Sequence, residues 1–224
     1  GPGGNLYVAD PDANRVRVLT PAAASVAGAE ALNAASLLPG PIAPGMLVAI
    51  QGAGASATEV LFAGFPAAIL AADSTRILVQ APAQIAGVGT IQIEVRDQGI
   101  LRAVIPATAS AAAPALFTSG SGQAAAVNQN GNVNSSEHPV PRGSWISLYG
   151  TGEGMAGLPV SVSIGGYAAE VLYAGEVAGY PGLFQINVQV PAGYLAPGNL
   201  AVVWTVGSAT NSVDSQAGVT LAVE

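Results

Sequence analysis

Two copies of one pattern of short apolar segments run through this sequence, and this internal repeat restricts the fold more than any other feature. Residues 45–52 (GMLVAIQG) match residues 143–150 (GSWISLYG), and residues 77–82 (ILVQAP) match residues 186–191 (INVQVP). In both copies apolar residues alternate with small or polar ones, and Gly, Pro or Asp ends each segment, which is typical of short β-strands joined by tight turns. The repeat therefore predicts two β domains of similar topology.

Each copy contains evenly spaced segments of this kind, an arrangement typical of a β-sandwich. The strands predicted in the first copy are 46–51, 59–62, 67–71, 76–80, 89–95 and 101–106. Those predicted in the second copy are 144–149, 160–164, 169–173, 183–190, 200–206 and 218–223. Between alternating residues, Asn130-Gly131 predicts a type I′ hairpin turn. The predicted fold is all-β, with two tandem sandwiches at 21–113 and 114–224 and an N-terminal β-hairpin or strand extension at 1–20.

Composition excludes several classes of protein. Only 8% of the 224 residues are charged, every basic residue is Arg, and the net charge is −7. We therefore expect neither a nucleic-acid-binding surface nor insertion into a membrane. The absence of Cys excludes a disulfide framework, and no apolar run is long enough to predict a transmembrane helix. The first ten residues lack the features of a signal peptide. If the protein is secreted, either its signal peptide has been removed or the chain is a fragment of a longer protein, and we expect a fragment because residue 1 falls inside a motif.

Residues 4–19 (GNLYVADPDANRVRVL) predict a β-hairpin, because two apolar segments flank a turn rich in Asp, Asn and Pro. This segment resembles part of an NHL repeat, of which it supplies half a propeller blade. Asp10, Asp12 and Asn14 also have the spacing of the first ligands in a calcium loop. The glycine and the distant Glu of such a loop are missing, which favours a structural turn.

Several motifs shared by the two copies resemble the IPT/TIG family of immunoglobulin-like domains. They include a Pro-Gly turn, a strand ending in a G-x-G motif, a strand after a Gly-Gly pair and a strand ending in Pro. The segments carrying the resemblance are Asn33–Ser36, Ile42–Gly45, Gly122–Asn128, Tyr149–Gly152, Gly165–Gly166 and Asn187–Pro191. More specifically, residues 30–224 resemble an uncharacterised C-terminal module of secreted acidobacterial proteins, which often follows NHL propellers. The resemblance implies a pair of extracellular immunoglobulin-like sandwiches and no known reaction or ligand.

No arrangement of catalytic residues is evident, and we expect no enzymatic activity, no cofactor and no metal site. The single histidine, His138, lies beside Glu137 in a loop, where adjacent side chains usually diverge. The carboxylates of Glu153, Glu170 and Glu176 lack a spacing that favours a glycosidase pair, so we interpret them as solvated. The glycines of residues 150–154 (GTGEG) precede no predicted helix and are interpreted as turn residues rather than a phosphate-binding loop.

Four other residues invite a functional interpretation. Trp145 and Trp204 lie on predicted strands, and we expect both to pack in the core rather than to form a sugar-binding platform. Asn134 begins a glycosylation sequon. In the connector between the sandwiches, at 109–120, Phe117 is expected to be an apolar plug.

The sequence leaves two functions open and ranks an enzyme below both. The first is a non-enzymatic extracellular structural protein that polymerises into a surface filament by β-strand addition, because a half-blade has unpaired edges. The predicted assembly strands contain Leu6, Tyr7, Val8, Val16, Val18 and Leu19. The alternative is an adhesion module for an extracellular carbohydrate or protein, appended to an NHL propeller. The predicted aromatic residues of its ligand loops are Tyr167, Tyr173 and Tyr180.

Overall fold

The computed structural model describes residues 6–10, 15–19, 28–53, 57–193 and 195–224. Within these residues the structure is almost entirely β, and the single helical element is a short 3₁₀ helix at Ala83–Ile85. This confirms the all-β fold class. Two strands at the N-terminus, β1 (Leu6–Asp10) and β2 (Arg15–Leu19), pair antiparallel with one another, so the predicted hairpin is present in the backbone. The turn with the alternative calcium ligands Asp12 and Asn14 lies outside the described residues.

The first sandwich consists of two antiparallel sheets of four strands each. Its strands are β3 (Glu30–Asn33), β4 (Leu47–Gln51), β5 (Glu59–Phe62), β6 (Phe65–Pro66), β7 (Ala68–Ala72), β8 (Arg76–Gln80), β9 (Thr90–Asp97) and β10 (Ile100–Thr108). One sheet has the order β3-β4-β8-β7 and the other has the order β10-β9-β5-β6. A single cluster of buried apolar side chains, including Ile50, Phe62 and Ile93, fills the space between them.

The second sandwich repeats this arrangement. Its strands are β11 (Ala115–Leu116), β12 (Ala126–Asn128), β13 (Trp145–Thr151), β14 (Val160–Ile164), β15 (Tyr167–Glu176), β16 (Phe184–Gln189), β17 (Gly198–Ser208), β18 (Asn211–Asp214) and β19 (Thr220–Val223). The first three residues of β15 pair with β14, and from Glu170 onwards β15 pairs with β16, with a bulge between Val171 and Tyr173. One layer is therefore β11/β12-β13-β16-β15, and the other is β15-β14-β17 with β18 and β19. A second cluster of buried apolar side chains lies between these layers.

The central strands of the two sandwiches match in order, as the internal repeat predicts: β4-β8-β7 and β9-β5-β6 correspond to β13-β16-β15 and β17-β14-β15. In the first sandwich β6 belongs to one layer and β7 to the other. In the second sandwich the single strand β15 takes both positions, because it crosses from one layer to the other. The predicted strands agree with the structure to within a few residues, whereas no bounds were predicted for β3, β6, β11, β12 and β18. The domain limits of 1–20, 21–113 and 114–224 remain predictions. The turn at Asn130-Gly131 is present, but only Gly131 has a positive φ (86°), so it is not of the predicted type I′.

Candidate functional site

A patch of aromatic and amide side chains covers the outer face of sheet β11/β12-β13-β16-β15. In an antiparallel sheet, paired residues point to the same face. Three rows of paired residues follow from the register across β13, β16 and β15. These rows are Trp145–Gln189–Glu170, Ser147–Asn187–Tyr173 and Tyr149–Gln185–Gly175. Because Ile146, Leu148, Ile186 and Val188 between them are buried, these rows face away from the core.

Phe117 extends this surface towards the first sandwich. Its backbone N–H donates to the Tyr149 carbonyl (2.9 Å), one step beyond the pair Leu116–Gly150. Leu116 is fully buried, so Phe117 points to the outer face beside Tyr149. Its side chain also lines a hollow of about 300 Å³ with Leu47, Arg76 and Leu78 of the first sandwich. We call the outward-facing side chains of Phe117, Trp145, Tyr149, Tyr173, Gln185, Asn187 and Gln189 the aromatic face.

The position of Tyr173 on this surface depends on a glycine. A Cβ atom added at Gly175 would lie 2.5 Å from the Tyr173 hydroxyl oxygen. The phenol ring therefore extends along β15 over the space that a side chain at 175 would occupy. Tyr173 still exposes 47% of its surface, so the ring is available to a ligand.

Hydrogen bonds fix the amide groups at the centre of the aromatic face. The Oδ1 atom of Asn187 accepts from the Ser147 hydroxyl and from Nε2 of Gln185, both at 2.8 Å. Nε2 of Gln189 donates to the Gly143 carbonyl (2.9 Å). The Nδ2 group of Asn187 therefore points away from this network and remains a donor for solvent or a ligand.

The two tryptophans have opposite environments. Trp204 is fully buried and stacks on Phe184, with ring centroids 5.5 Å apart and an interplanar angle of 5°, as predicted. Trp145 exposes 37% of its surface, so the prediction that it packs in the core was wrong. The reason is the pleat of β13: Ile146 and Leu148 occupy its inner face, which leaves Trp145 outside.

A second feature is the junction between the sandwiches, where Thr151 is fully buried. Its hydroxyl accepts from the Leu47 backbone N–H (2.8 Å) and donates to the Gly182 carbonyl (2.7 Å). Leu47 belongs to the first sandwich, and Thr151 and Gly182 belong to the second. In addition, Nδ2 of Asn33 donates to the Ala113 carbonyl in the connector (3.0 Å). These buried hydrogen bonds fix the orientation of the two sandwiches.

The glycines at 150, 152 and 154 pack the connector against the end of β13. Added Cβ atoms at these positions would overlap the carbonyl oxygens of Ala115, Ala113 and Ala111, respectively. Hydrogen bonds from the Ala113 N–H to the Gly152 carbonyl (2.8 Å) and from the Met155 N–H to the Ala111 carbonyl (2.9 Å) also join these two segments. The interpretation of these glycines as turn residues was therefore incomplete, since their main role is close packing. In the sequence, the recurrence of glycine at every second position from 150 to 154 could have indicated this packing role.

Glu153 lies between these glycines and faces two adjoining hollows. One hollow, of about 690 Å³, lies between the sandwiches, and the other, of about 640 Å³, lies on the second sandwich. Oε2 of Glu153 is buried without a hydrogen-bond partner among the described residues. Burial, with a smaller contribution from the nearby Glu176 carboxylate, raises the pKa of Glu153 to about 7. The interpretation of Glu153 as a solvated carboxylate was wrong.

The other predicted residues lie apart from one another. Tyr167 begins β15, in the part that pairs with β14, whereas Tyr173 lies in the part that pairs with β16. Tyr180 lies in the turn after β15, so only Tyr173 belongs to the aromatic face. Asn134 is 1% exposed. Its amide bonds to Asn128, to Gln123 and to both backbone groups of Ala222, which makes it a core residue rather than an accessible glycosylation site.

No catalytic or metal centre is found in the part of the chain that the structure describes. His138 is hydrogen-bonded there only through its backbone, to Ser135 and Asn128. Those residues contain no group of three or more His, Asp or Glu side chains that could hold a metal ion. They also contain no helix that is long and apolar enough to cross a membrane.

Comparison with known families finds a match in the first sandwich. Residues 33–110 match the family model of the IPT/TIG domain. This finding supports the resemblance to immunoglobulin-like domains, which are typically non-catalytic. The matched range extends from the end of β3 to just beyond β10. It therefore covers most of one sandwich, and the second sandwich repeats its topology.

Several solved structures are also similar to this chain. A γ-cyclodextrin glucanotransferase from alkalophilic Bacillus clarkii is 16% identical over 80% of this chain, with a TM-score of 0.28, and the match spans only 24% of that enzyme. A tandem of titin immunoglobulin domains is 12% identical over 82% of this chain and 89% of its own, with a TM-score of 0.25. Tandem immunoglobulin repeats of Dlar are 11% identical over 87% of this chain and 95% of their own, with a TM-score of 0.25. No curated protein matches the chain.

Proposed function

We propose that this chain is a non-enzymatic structural module that acts outside the cell and assembles with copies of itself by β-strand addition. The observation that carries this proposal is the separate sheet of β1 and β2. Within the described residues these strands pair with each other and with no strand of either sandwich. A two-stranded hairpin is at best marginally stable alone, and each of its outer edges offers backbone groups to another strand.

The rest of the chain is suited to such an assembly. Strand β7 (AILAA) contains no charged residue and forms one edge of its sheet; charged residues are a common means by which sheet edges avoid pairing. The bonds of Thr151 hold the two sandwiches in one orientation, so repeated addition would propagate a constant geometry. Head-to-tail addition that does not close on itself gives a filament. The extracellular location rests on the resemblance to secreted modules.

Negative-stain electron microscopy of the chain with and without residues 1–20 tests this proposal. We expect filaments or oligomers that disappear on truncation. The variants Tyr7→Pro and Val8→Pro remove backbone N–H groups that point to opposite edges of β1. At least one of them should therefore block assembly. Val8→Thr keeps the N–H group and is the matched control. Monodisperse monomers for the intact chain would refute strand addition.

A second function, adhesion to an extracellular carbohydrate or protein, is favoured by the aromatic face. Side chains from three strands and from Phe117 form this surface, and Trp145 and Tyr173 on it are exposed. Large aromatic side chains exposed together are typical of binding surfaces. Binding and assembly are compatible, because the aromatic face lies on β13, β15 and β16 and the hairpin lies on β1 and β2.

A further inference from the structure

We propose that the aromatic face binds an uncharged polysaccharide chain, which stacks on Trp145 and Tyr173 and bonds to the amides of Asn187 and Gln185. This inference rests on the adhesion function and names its ligand and its residues.

The rings are placed for stacking. A sugar ring presents a face of C–H groups, which packs on the electron-rich face of an aromatic side chain and removes apolar surface from water. Trp145 and Tyr149 lie four residues apart on β13, about 13 Å, and Tyr173 lies two strands away, about 10 Å. The rings thus cover an area that accommodates several sugar units in a row, which favours a polysaccharide chain over a monosaccharide.

The aromatic face is also pre-organised. Its residues lie on paired strands, and the Tyr173 ring extends over the space left by Gly175. Ser147 and Gln185 hold the side chain of Asn187. Little side-chain freedom is therefore lost on binding, which lowers the entropic cost.

The polar groups suit hydroxyl groups. With Oδ1 of Asn187 occupied by two donors, its Nδ2 remains a donor, and Oε1 of Gln185 remains an acceptor. A sugar hydroxyl both donates and accepts, so it can bond to either group. The row Ser147–Asn187 puts polar groups at the centre of the face, where a protein interface would usually bury an apolar core.

The charge of this surface excludes anionic ligands. Across β13, β16 and β15 the register places one charged residue, Glu170, and no basic residue, and Arg76 of the first sandwich lies at the end of the surface that Phe117 forms. The chain as a whole carries a net charge of −7. Sulfated or uronic-acid polysaccharides and nucleic acids would be repelled, so the ligand is an uncharged glycan.

Affinity electrophoresis of the intact chain in gels containing β-glucan, xylan, galactomannan or, separately, the anionic polysaccharide heparin tests this proposal. At least one uncharged polysaccharide should retard the protein, and heparin should not. Loss of one stacking ring by Trp145→Ala or Tyr173→Ala should weaken binding by about tenfold. Tyr173→Phe should retain most of the affinity, because the ring is kept.

Tyr167→Ala is the matched control. Tyr167 has the same side chain, lies on the same strand and is 48% exposed, but it pairs with Ile164 of β14 and not with β16. Its replacement should leave the affinity unchanged, and thermal unfolding should show that each variant is folded. The proposal is wrong if no uncharged polysaccharide binds, if heparin binds instead, or if only Tyr167→Ala reduces the affinity.

The result also separates this proposal from the functions on which it is built. Binding of a defined protein, lost in Trp145→Ala while no polysaccharide binds, would refute the glycan and keep the adhesion function. Assembly seen by electron microscopy should be the same for Trp145→Ala and the wild type, since β1 and β2 are unaltered.

Discussion

Replacing Glu153 with Gln should remove the largest pH-dependent change in stability that the structure predicts. Oε2 of Glu153 is buried without a hydrogen-bond partner in the described part of the chain, and no Arg lines either of the hollows that Glu153 faces. Burial therefore disfavours the ionised form and raises the pKa of this carboxyl from its ordinary value of 4.5 to about 7. The Gln side chain has a similar shape and stays neutral at every pH.

Proton binding at Glu153 determines whether the free energy of unfolding rises or falls with pH. Between these two pKa values the folded protein binds more protons at Glu153 than the unfolded protein does, so the free energy of unfolding decreases as the pH rises. The stabilisation is fully present below pH 4.5 and is lost as the pH approaches 7. At about 1.4 kcal/mol per pKa unit, the shift corresponds to a loss of roughly 3 kcal/mol at most. Partial exposure of the side chain reduces this figure.

Urea unfolding of the wild type and of Glu153→Gln, measured at intervals from pH 4 to pH 9, gives the difference directly. The two proteins should have similar stability at pH 4, and the variant should become the more stable as the pH rises. Glu170→Gln, an exposed carboxylate on the same sandwich, should keep the pH dependence of the wild type. Parallel curves for wild type and Glu153→Gln would show that water or a local rearrangement solvates the carboxylate and that the reasoning fails.

Three further substitutions test the packing of the junction and core by urea unfolding. Thr151→Val leaves the buried Leu47 N–H and Gly182 carbonyl unpaired and should cost about 2–4 kcal/mol, whereas Thr151→Ser, which keeps the hydroxyl, should cost less than half as much. Gly152→Ala places a Cβ at a positive φ and against the Ala113 carbonyl. It should therefore destabilise the protein more than Gly157→Ala, where φ is also positive but the Cβ would meet open space. Equal losses of unfolding free energy in the two variants would contradict the packing role of Gly152. Asn134→Ala removes the hydrogen bonds to both backbone groups of Ala222 and should cost about 3 kcal/mol, and a loss below about 0.5 kcal/mol would mean that these bonds are replaced by water.

Local sequence patterns predicted most of the fold. Alternation of apolar and polar residues, with Gly and Pro at the ends of segments, located the long strands of both sandwiches to within a few residues. The shortest strands were missed, because segments such as β11 (Ala115–Leu116) are too short to show a period. The turn at Asn130-Gly131 was located correctly but with the wrong turn type, since φ at Asn130 depends on the surrounding structure.

The candidate site was much less predictable. Trp145 and Trp204 both alternate with apolar neighbours, and nothing local to either residue distinguishes an inner from an outer position. The predicted ligand aromatics Tyr167, Tyr173 and Tyr180 are close together in sequence, yet β15 and its turn place them at separate points. The environment of Glu153 also depends on residues distant in sequence, because the connector packs against its neighbouring glycines and the Glu176 carboxylate adds to its pKa shift.

The sequence alone determined that this chain forms β-strands, that it repeats one sandwich topology and that few of its residues are charged. These properties depend on local periodicity and on composition, which tertiary contacts do not alter. Only the tertiary structure decided which side chains meet. Strand pairing brings Phe117, Trp145, Tyr173 and Asn187 to one face although they span 71 residues of sequence. The direction of each side chain depends on register, and the register depends on how both layers fill the core.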